Sequence, residues 1–542
     1  MKVCLLYRGR ERGGESPYYD TASIIKDLGL ETLFLCAARK LVYEDGAVKS
    51  VEKEDPYLME TLRTVMMSPL SSEEEIRYRQ EIIADCIRHE EFIRELYRIS
   101  SELLLKWKEL GRSGPSSSRQ VSPASKLITQ IRVVHLFCDT LSEIRTLLFS
   151  QEEDFSSEGL RTFREDFAEA FPKEREEGIR SVLADISFYT AGADEEDEGR
   201  SQEVKPRIVM ECGLEDGLKF SSLKLEEVSS ESVKFLKRGS TRDRLREFVN
   251  ARIPDSFSIR NDPRIGEEAQ ILEYGIVSYL VAELGGLTEE FQTFFDRVKF
   301  QSAFYLSAVQ LKAQMERVSS EWCFPVVCDR RDLDFTELRE LVMGLERRVN
   351  VIGNSTSLRG TDLMIVTGAN QGGKSTFLRS IGIAQVMMQC GLMVMAKSYA
   401  AGIFPRIFVH FTRREDSEMN SGRLDEELGR MNRIVEQIGD GSLLLLNESF
   451  ATTTEKEGSL IAYDIIRALM EAGVRILTVT HLLSFARRIH QETKDRPDSG
   501  VAFFSAERTP DGRRTYRMIP HEPELTSFGL DLYEEIVGRK TS

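Results

Sequence analysis

A glycine-rich stretch between an apolar run and an amphipathic segment constrains the fold of this chain more than any other feature. The apolar run covers residues 363–366 (LMIV), and the glycine-rich stretch covers residues 368–376 (GANQGGKST). The segment that follows places Phe377, Ile381 and Met388 on one helical face. A buried strand, a tight turn and a helix in this order predict an α/β domain. Its sheet should be mostly parallel and covered by helices on both faces.

The glycine-rich stretch matches the pattern GxxxxGK[ST] of a P-loop in full. Its glycines allow backbone N–H groups to turn inward around phosphate oxygens, and the helix that follows adds a favourable field for anions. We expect Lys374 to reach the β- and γ-phosphates of ATP and the Ser375 hydroxyl to ligate Mg²⁺. A chance match of a glycine-rich turn is the alternative, which the flanking strand and helix disfavour. The predicted ATP-binding residues are Gly368, Ala369, Asn370, Gln371, Gly372, Gly373, Lys374, Ser375 and Thr376.

A second apolar run, residues 443–446 (LLLL), ends in Asn447 and Glu448. An acid at a strand end is the usual Mg²⁺ and water-activating position of P-loop ATPases, so Glu448 is predicted to polarise the attacking water. A salt bridge is the alternative role of this glutamate. Asn447 stands where an aspartate is expected. Its amide keeps an acceptor oxygen but lacks the charge, so we expect Asn447 to hold Mg²⁺ or the waters around it more weakly.

A third strand ends in a histidine, and a Ser-Gly pair precedes a further helix. Residues 478–480 (TVT) lead to His481, which we expect to contact the γ-phosphate and to respond to its loss. A purely structural histidine is the alternative, but the chain order of glycine-rich loop, acid strand and histidine strand favours the functional role. Ser421 and Gly422 precede a helix that contains Glu427. Such a pair alone is a common helix entry.

The N-terminal half of the chain indicates mainly helices. Residues 71–75 (SSEEE) form a capping-box start. Residues 126–150 and 267–318 have helical periodicity. We expect the second of these helices to be interrupted at Gly285–Gly286. Short strand patterns at residues 207–211, 223–225 and 256–259 predict a small irregular insertion near residues 204–264.

Together these motifs resemble the MutS family of ABC-type ATPases. The similarity runs from the glycine-rich loop through residues 421–437 (SGRLDEELGRMNRIVEQ), LLLLNES and TVTH, and it ends with residues 527–530 (SFGL). Upstream, residues 19–22 (YDTA) and 64–70 (TVMMSPL) resemble the start of the family's helical core and lever domain. The resemblance covers nearly the whole chain and is most specific in residues 363–482.

The resemblance implies a mostly α-helical core and lever region, followed by an α/β P-loop ATPase domain of the ABC type. These domains are predicted at residues 1–318, with a clamp-like insertion near residues 204–264, and at residues 319–542. The N-terminal domains with which family members read mismatches are expected to be lacking, because the chain begins almost at the core. Residues 167–169 (FAE) match the Phe-x-Glu reader of those domains in spelling only.

The resemblance also implies a function. Two subunits would form a homodimer through their ATPase domains, where the glycine-rich loop, Glu448 and His481 of one subunit face the Ser-Gly pair of the other. ATP binding would close this dimer as a clamp on mismatched or branched double-stranded DNA in repair or recombination. We expect slow hydrolysis, because Asn447 replaces the family's aspartate and residues 449–452 replace its glycine-rich turn. The alternatives are a ribosome-associated ATPase acting on stalled translation and a scaffold that binds ATP but hardly cleaves it.

Composition limits the partners and the compartment. The chain holds 73 basic and 89 acidic residues, a net charge of −16, which argues against a globally basic nucleic-acid coat. Scattered cysteines without a CxxC pair, and no apolar run near ~18 residues, predict a cytoplasmic protein without a membrane span. A basic cluster is predicted to contact DNA phosphates, with a solvated helix face as the alternative. Its residues are Lys234, Lys237, Arg238, Arg242, Arg244 and Arg246.

Overall fold

The structure is a computed structural model, with helices and strands numbered in chain order. The structure describes residues 4–8, 18, 20–44, 47–51, 53–112, 123–149, 155–187, 207–215, 219–229, 264–369, 371–412, 423–496, 498–509 and 513–523. The helices are α1 (Thr21–Leu28), α2 (Leu30–Ala37), α3 (Pro56–Met66), α4 (Glu73–Arg88), α5 (Glu90–Arg112), α6 (Pro123–Phe149), α7 (Glu158–Ala170), α8 (Lys173–Ser187), α9 (Arg264–Glu316), α10 (Leu341–Arg347), α11 (Lys374–Gln389), α12 (Arg423–Val435), α13 (Glu455–Glu471) and α14 (Leu483–Thr493). The strands are β1 (Leu41–Glu44), β2 (Ala47–Val51), β3 (Arg207–Glu215), β4 (Lys219–Ser229), β5 (Val326–Val327), β6 (Leu333–Leu338), β7 (Asn354–Leu358), β8 (Leu363–Thr367), β9 (Ser398–Ala401), β10 (Ile407–Phe411), β11 (Leu443–Asn447), β12 (Arg475–Val479), β13 (Val501–Arg508) and β14 (Arg514–Pro520).

The described residues group into two compact units. Unit 1 comprises Glu91–Ser156 and Leu160–Ser302, and unit 2 comprises Cys4–Glu90, Ser157–Gly159 and Ala303–Ser542. Helices dominate the first three hundred residues and larger sheets follow toward the C-terminus, which agrees with the predicted order of a helical region and an α/β region. The division at residue 318 stays a prediction. Across the described part of the chain, no helix is both long and apolar enough to cross a membrane.

Phenylalanine side chains from three helices form much of the core of unit 1. Phe137 of α6 stacks on Phe295 of α9, with ring centroids 5.6 Å apart. Phe167 of α7 is fully buried and contacts Phe171 and Phe294. Aromatic pairs of this kind add about 0.5–1.5 kcal/mol beyond the burial of their area. Phe167 is therefore a packing residue of unit 1.

Helix α9 runs through Gly285–Gly286 without a break, so the interruption predicted there is wrong. A glycine costs a helix interior about 1 kcal/mol relative to alanine, an amount that packing can offset. Leu284 is buried, and a Cβ atom at Gly285 would lie 3.3 Å from Nε2 of Gln130. The tertiary contacts of this stretch therefore outweigh its weak helix propensity.

Helix α4 begins where the sequence predicts a capped start. The Ser72 hydroxyl accepts a hydrogen bond from the backbone N–H of Glu75 at 3.3 Å. Such a bond satisfies one of the N–H groups that the first turn of a helix leaves without a partner. The predicted start of this helix is thus confirmed, with Ser72 as its N-cap.

Strands β3 and β4 form an antiparallel hairpin inside the predicted insertion. Two of the expected strand patterns, residues 207–211 and 223–225, lie in this hairpin. The basic cluster of residues 234–246 lies outside the described residues. A clamp role for the insertion stays a prediction.

A six-stranded sheet with the order β10-β11-β12-β8-β13-β14 occupies the C-terminal part of unit 2. Neighbouring strands pair in parallel, except β13 and β14, which form an antiparallel hairpin. The strands predicted from the three apolar runs are confirmed, and so is a mostly parallel sheet. A smaller sheet with the order β5-β9-β6-β7 also belongs to this unit.

Helices cover both faces of the six-stranded sheet. On one face, Leu444 and Ile476 pack with Ile466 of α13 and Phe485 of α14 in one buried cluster. Successive residues of a strand point to opposite faces, so Leu445 faces the other side. There α11 approaches so closely that a Cβ atom at Gly382 would lie 2.8 Å from Cδ1 of Leu445. Burial on both faces explains why these strands are almost purely apolar.

Replacing Gly286 with alanine should stabilise the protein. The residue lies inside α9, and a Cβ atom there would meet no described atom within 4 Å. Alanine therefore restricts the unfolded chain without a clash, and we expect the free energy of unfolding to rise by about 0.5–1 kcal/mol. Denaturant unfolding followed by circular dichroism measures this change.

Gly382→Ala is the matched control for this substitution. Its Cβ atom would lie 2.7 Å from Leu28 and 2.8 Å from Leu445, so this variant should be less stable than the parent chain. A Gly286→Ala variant that is destabilised as strongly as Gly382→Ala would contradict the continuous helix.

Candidate functional site

The carboxyl ends of three adjacent parallel strands bring together the loop and the two side chains that the sequence singles out. Strand β8 leads into residues 368–376, β11 leads to Glu448, and β12 leads to His481. The backbone N–H of Glu448 donates to the carbonyl of Val479 at 2.8 Å, which extends the pairing of β11 and β12 to this edge. Ligands of open α/β sheets bind outside the carboxyl ends of the strands, so this edge is the candidate site.

The backbone of the glycine-rich loop leaves little room for side chains. Gly368 and Gly373 have φ angles of +106° and +93°, a conformation that glycine adopts at no steric cost. A Cβ atom at Gly368 would lie 2.8 Å from Oγ of Ser505, and one at Gly372 would lie 2.8 Å from Cβ of Ala506. Strand β13 therefore packs directly on the loop, and the glycines are a requirement of this packing.

Lys374 opens helix α11 with a buried side chain. Its Nζ donates to the carbonyl oxygens of Gly368 and Ala369, both at 2.8 Å, and the residue is only 4% exposed. A buried ammonium group needs such acceptors. The loop thus holds a positive charge at the N-terminus of a helix, where the backbone dipoles also favour anions.

Strand β14 contributes two side chains to the loop that sequence reasoning missed. Arg514 donates through Nη1 to Oε1 of Gln371 at 3.0 Å. Tyr516 is 46% exposed, and a Cβ atom at Gly373 would lie 3.6 Å from its side chain. Residues 510–512 (PDG), between the apolar residues at 503–504 and those at 516 and 518, predict the hairpin of β13 and β14, but nothing in the sequence indicates that it packs on this loop. Asn370 lies outside the described residues.

Glu448 and His481 form a direct pair. His481 Nε2 lies 2.9 Å from Glu448 Oε1, and because an ionised carboxylate can only accept, Nε2 carries the hydrogen. The hydrogen bond from His481 lowers the pKa of Glu448; partial burial raises it, and the charges of His481 and Lys374 lower it further. The net pKa lies below the usual glutamate value, so the side chain is ionised at neutral pH and can accept a hydrogen bond from water.

Asn447 and Thr367 each place an oxygen atom at this sheet edge that lacks a partner. Asn447 Oδ1 and Thr367 Oγ1 are buried and have no hydrogen bond within the described residues. A buried acceptor of this kind requires an explanation such as a bound ion, and amide and hydroxyl oxygens are ligands that Mg²⁺ accepts. The oxygen atoms present therefore fit a Mg²⁺ ion, with Asn447 and Ser375 as candidate ligands. In the ranges that the structure describes, no group of three or more His, Cys, Asp or Glu residues could hold a metal ion.

The remaining predicted site residues divide into two groups. Ser375 and Thr376 lie in the first turn of α11 and are half-buried. Ser421 and Gly422 lie outside the described residues, as does the basic cluster. The structure therefore brings together the loop, Glu448 and His481, and the position of the Ser-Gly pair stays a prediction.

Comparison with known proteins identifies the family to which this α/β domain and its helical partner region belong. The sequence profile of the MutS2 N-terminal domain matches residues 71–318, and that of MutS domain V matches residues 364–534. The second match contains the glycine-rich loop, Glu448 and His481. The chain belongs to the MutS family.

Three curated relatives illustrate the range of this similarity. The chain is 27% identical over 218 residues to Endonuclease MutS2 of Lacticaseibacillus casei, which is 40% of this chain and 27% of that protein. It is 32% identical over 167 residues to DNA mismatch repair protein MutS of a Synechococcus species, 30% of this chain and 18% of that protein. MutS protein homolog 4 of Mus musculus is 32% identical over 133 residues, 24% of this chain and 14% of that protein. The matched part of the chain thus spans about a quarter or less of the length of these relatives.

Proposed function

We propose that the chain is a MutS-type ATPase that binds ATP with Mg²⁺ at the glycine-rich loop and hydrolyses it with Glu448 and His481. Bound ATP would hold a homodimer closed on DNA. The observation that carries the proposal is the 2.9 Å contact between Glu448 Oε1 and His481 Nε2 at the sheet edge that also holds the Lys374 loop. A buried cation, an ionised acid and a histidine in one place can balance phosphate charge and orient a water molecule, which phosphoryl transfer to water needs.

Each of these residues has a separate role in the proposal. The backbone N–H groups of residues 368–376 bind phosphate oxygens of ATP, and Lys374 balances the charge of the β- and γ-phosphates. The Glu448 carboxylate accepts a hydrogen bond from the attacking water and orients it toward the γ-phosphate. His481 holds that carboxylate in place through Nε2 and contacts the γ-phosphate from the neighbouring strand end.

Ser375 and Asn447 would hold the Mg²⁺ ion. The ion, when bound, neutralises charge on the phosphates and lowers the barrier to hydrolysis. Asn447 offers a buried acceptor without a negative charge, so its hold on the ion is weak and hydrolysis is slow. The same residue favours the second candidate function, a scaffold that binds ATP but hardly cleaves it.

The dimer and its DNA substrate are proposed from the family. One relative is named a DNA mismatch repair protein and another an endonuclease. In the proposal, Ser421 and Gly422 of one subunit reach the ATP of the other, so that bound ATP favours the closed dimer. The basic cluster at residues 234–246 would contact DNA phosphates without reading bases, and mismatched or branched DNA would be the substrate.

Glu448→Gln should stop hydrolysis and leave ATP binding intact. The amide keeps the shape of the side chain and an acceptor for His481, but it is a far weaker base. We therefore expect the single-turnover rate of ATP hydrolysis to fall by about 10²–10⁴-fold. Titration with a fluorescent ATP analogue measures the affinity, and light scattering with ATP should show that dimers accumulate.

Lys374→Ala is the control for that experiment. This variant removes the cation from the loop and should lose ATP binding altogether. If Glu448→Gln hydrolysed ATP at the parental rate, another residue would be the base. Unchanged ATP affinity in Lys374→Ala would exclude the glycine-rich loop as the binding site.

Asn447→Asp should strengthen Mg²⁺ binding and raise turnover. An aspartate adds the missing charge, so we expect the Mg²⁺ concentration for half-maximal hydrolysis to fall about tenfold or more. Without Mg²⁺ the same buried carboxylate is unpaired and destabilising. The melting temperature of the variant should therefore be below that of the parent chain in EDTA and recover with Mg²⁺ and ATP. If Asn447→Asp changed neither the Mg²⁺ dependence of hydrolysis nor the effect of Mg²⁺ on the melting temperature, Asn447 would not be a metal ligand.

Binding to nucleic acid should depend on ATP and on the shape of the DNA. We expect filter binding with ATP to retain a mismatched duplex or a four-way junction more strongly than a homoduplex. The logarithm of affinity should fall with the logarithm of salt, with a slope of about −0.9 for each phosphate contact, and alanine at Lys237 and Arg238 should reduce this slope. Preference for structured RNA and cosedimentation with ribosomes would instead support the translation alternative.

A further inference from the structure

The turn that begins at Glu448 contains two non-glycine residues with a left-handed backbone. Glu448 and Phe450 have φ angles of +55° and +66°. Side chains with a Cβ atom adopt this conformation only when surrounding contacts hold it. The direction of the Glu448 carboxylate therefore depends on the contacts that fix residues 449–452.

Glu427 of α12 fixes this loop with both oxygens of its carboxylate. Oε1 accepts the backbone N–H of Phe450, and Oε2 accepts the hydroxyl of Thr452, each at 2.6 Å. The residue is only 6% exposed. A buried carboxyl group costs free energy unless its oxygens are hydrogen-bonded. Each oxygen of the Glu427 carboxylate thus holds one residue of the loop.

Strand β10 holds the same loop through His410. This histidine is fully buried, and its Nε2 donates to the backbone carbonyl of Glu427 at 3.2 Å. Its Nδ1 lies 2.7 Å from Oγ of Ser449, and its ring stacks on Phe450 with centroids 6.0 Å apart. Helix α12, strand β10 and the loop are thus joined in one buried network.

Thr412, which follows β10, bonds directly to the residues of the proposed site. Its backbone N–H donates to the carbonyl of Asn447 at 3.1 Å, and its hydroxyl donates to the carbonyl of Glu448 at 2.7 Å. Arg430 of α12 donates to the carbonyl of Phe411 at 3.0 Å. The two elements that hold the loop are therefore also bonded to each other.

We propose that Glu427 is a positioning residue for ATP hydrolysis. It holds Phe450 and Thr452 so that the Glu448 carboxylate keeps its direction and its contact with His481. This inference rests on the proposed function, because it concerns the rate of the reaction that Glu448 is proposed to assist. Glu427 acts through the loop, since its carboxylate is occupied by Phe450 and Thr452.

The test measures ATP affinity and the single-turnover rate of hydrolysis at saturating ATP and Mg²⁺ for full-length variants. Glu427→Ala should lower the rate by about a hundredfold, the effect of displacing a reacting group by about 1 Å, and leave ATP affinity unchanged. Glu427→Gln should keep most of the rate. Its amide oxygen can accept the Phe450 N–H, and its NH₂ group can donate to the Thr452 hydroxyl, which also accepts.

Two further variants separate positioning from folding. Asp425→Ala removes an exposed acid from the same helix and should behave as the parent chain. Thr452→Val removes one of the two bonds to Glu427 and should lower the rate, while Thr452→Ser should restore it. If Glu427→Ala does not fold, the two Thr452 variants still test the positioning role of Glu427.

Three outcomes overturn the proposal. If the Glu427→Ala or the Thr452→Val variant hydrolysed ATP at the parental rate, the positioning role would be refuted and the proposed ATPase function would stand. Equal loss of ATP affinity and rate in both Glu427→Ala and Glu427→Gln would reveal a purely structural residue. A parent chain that binds ATP without any hydrolysis would refute the proposed ATPase function, and with it this inference.

Discussion

Parallel pairing of β11 with β12, and of β12 with β8, is the constraint on which the candidate site depends. Because the three strands run in one direction, the loop, Glu448 and His481 all leave the sheet at the same edge. Both faces of these strands are apolar, so the fit of their side chains sets the register: residues 443–446 and their neighbours on β12 are almost fully buried. A slip by one residue would exchange the faces of every side chain. The packing of apolar side chains within the sheet therefore sets the positions of Glu448 and His481 at its edge.

The sequence predicts each part of the site whose signal lies within a single short stretch of chain. The glycine-rich loop between β8 and α11, and the side chains at the ends of β11 and β12, follow from local apolar runs and turn residues. His410, Arg514 and Tyr516 could not be found in this way. His410 reaches the site because β10 pairs with the distant strand β11. Arg514 and Tyr516 reach it because β13, the hairpin partner of β14, pairs with the distant strand β8. No local pattern in the sequence indicates this strand order. The apolar residues around His410 were a usable signal for a strand, but not for its place at the edge of this sheet.

Local rules fail where tertiary contacts provide the larger free energy. Gly285–Gly286 stays helical because the residues around it pack against another helix of unit 1. Glu448 and Phe450 adopt left-handed backbones without being glycine, each at a cost of order 1–3 kcal/mol. The carboxylate of Glu427 and the burial of Phe450 offset that cost. Because no glycine relieves this strain, surrounding contacts must hold the loop in place. The hydrogen bonds of Glu427 on α12 are one part of these contacts, and helical periodicity in the sequence does not reveal them.

The packing of β13 and β14 on the glycine-rich loop has a consequence for how the molecule is made. Gln371 meets Arg514 across 143 residues of chain, and Gly368 meets Ser505 of the adjacent strand β13. Contacts this distant in sequence form slowly, because closing a long loop of chain costs conformational entropy before the contact is gained. During synthesis, the loop is complete long before the strands that pack on it have left the ribosome. The glycine-rich loop therefore reaches its final conformation late in folding. A nascent chain that stops before residue 501 contains the motif but lacks the strands β13 and β14 that pack on it.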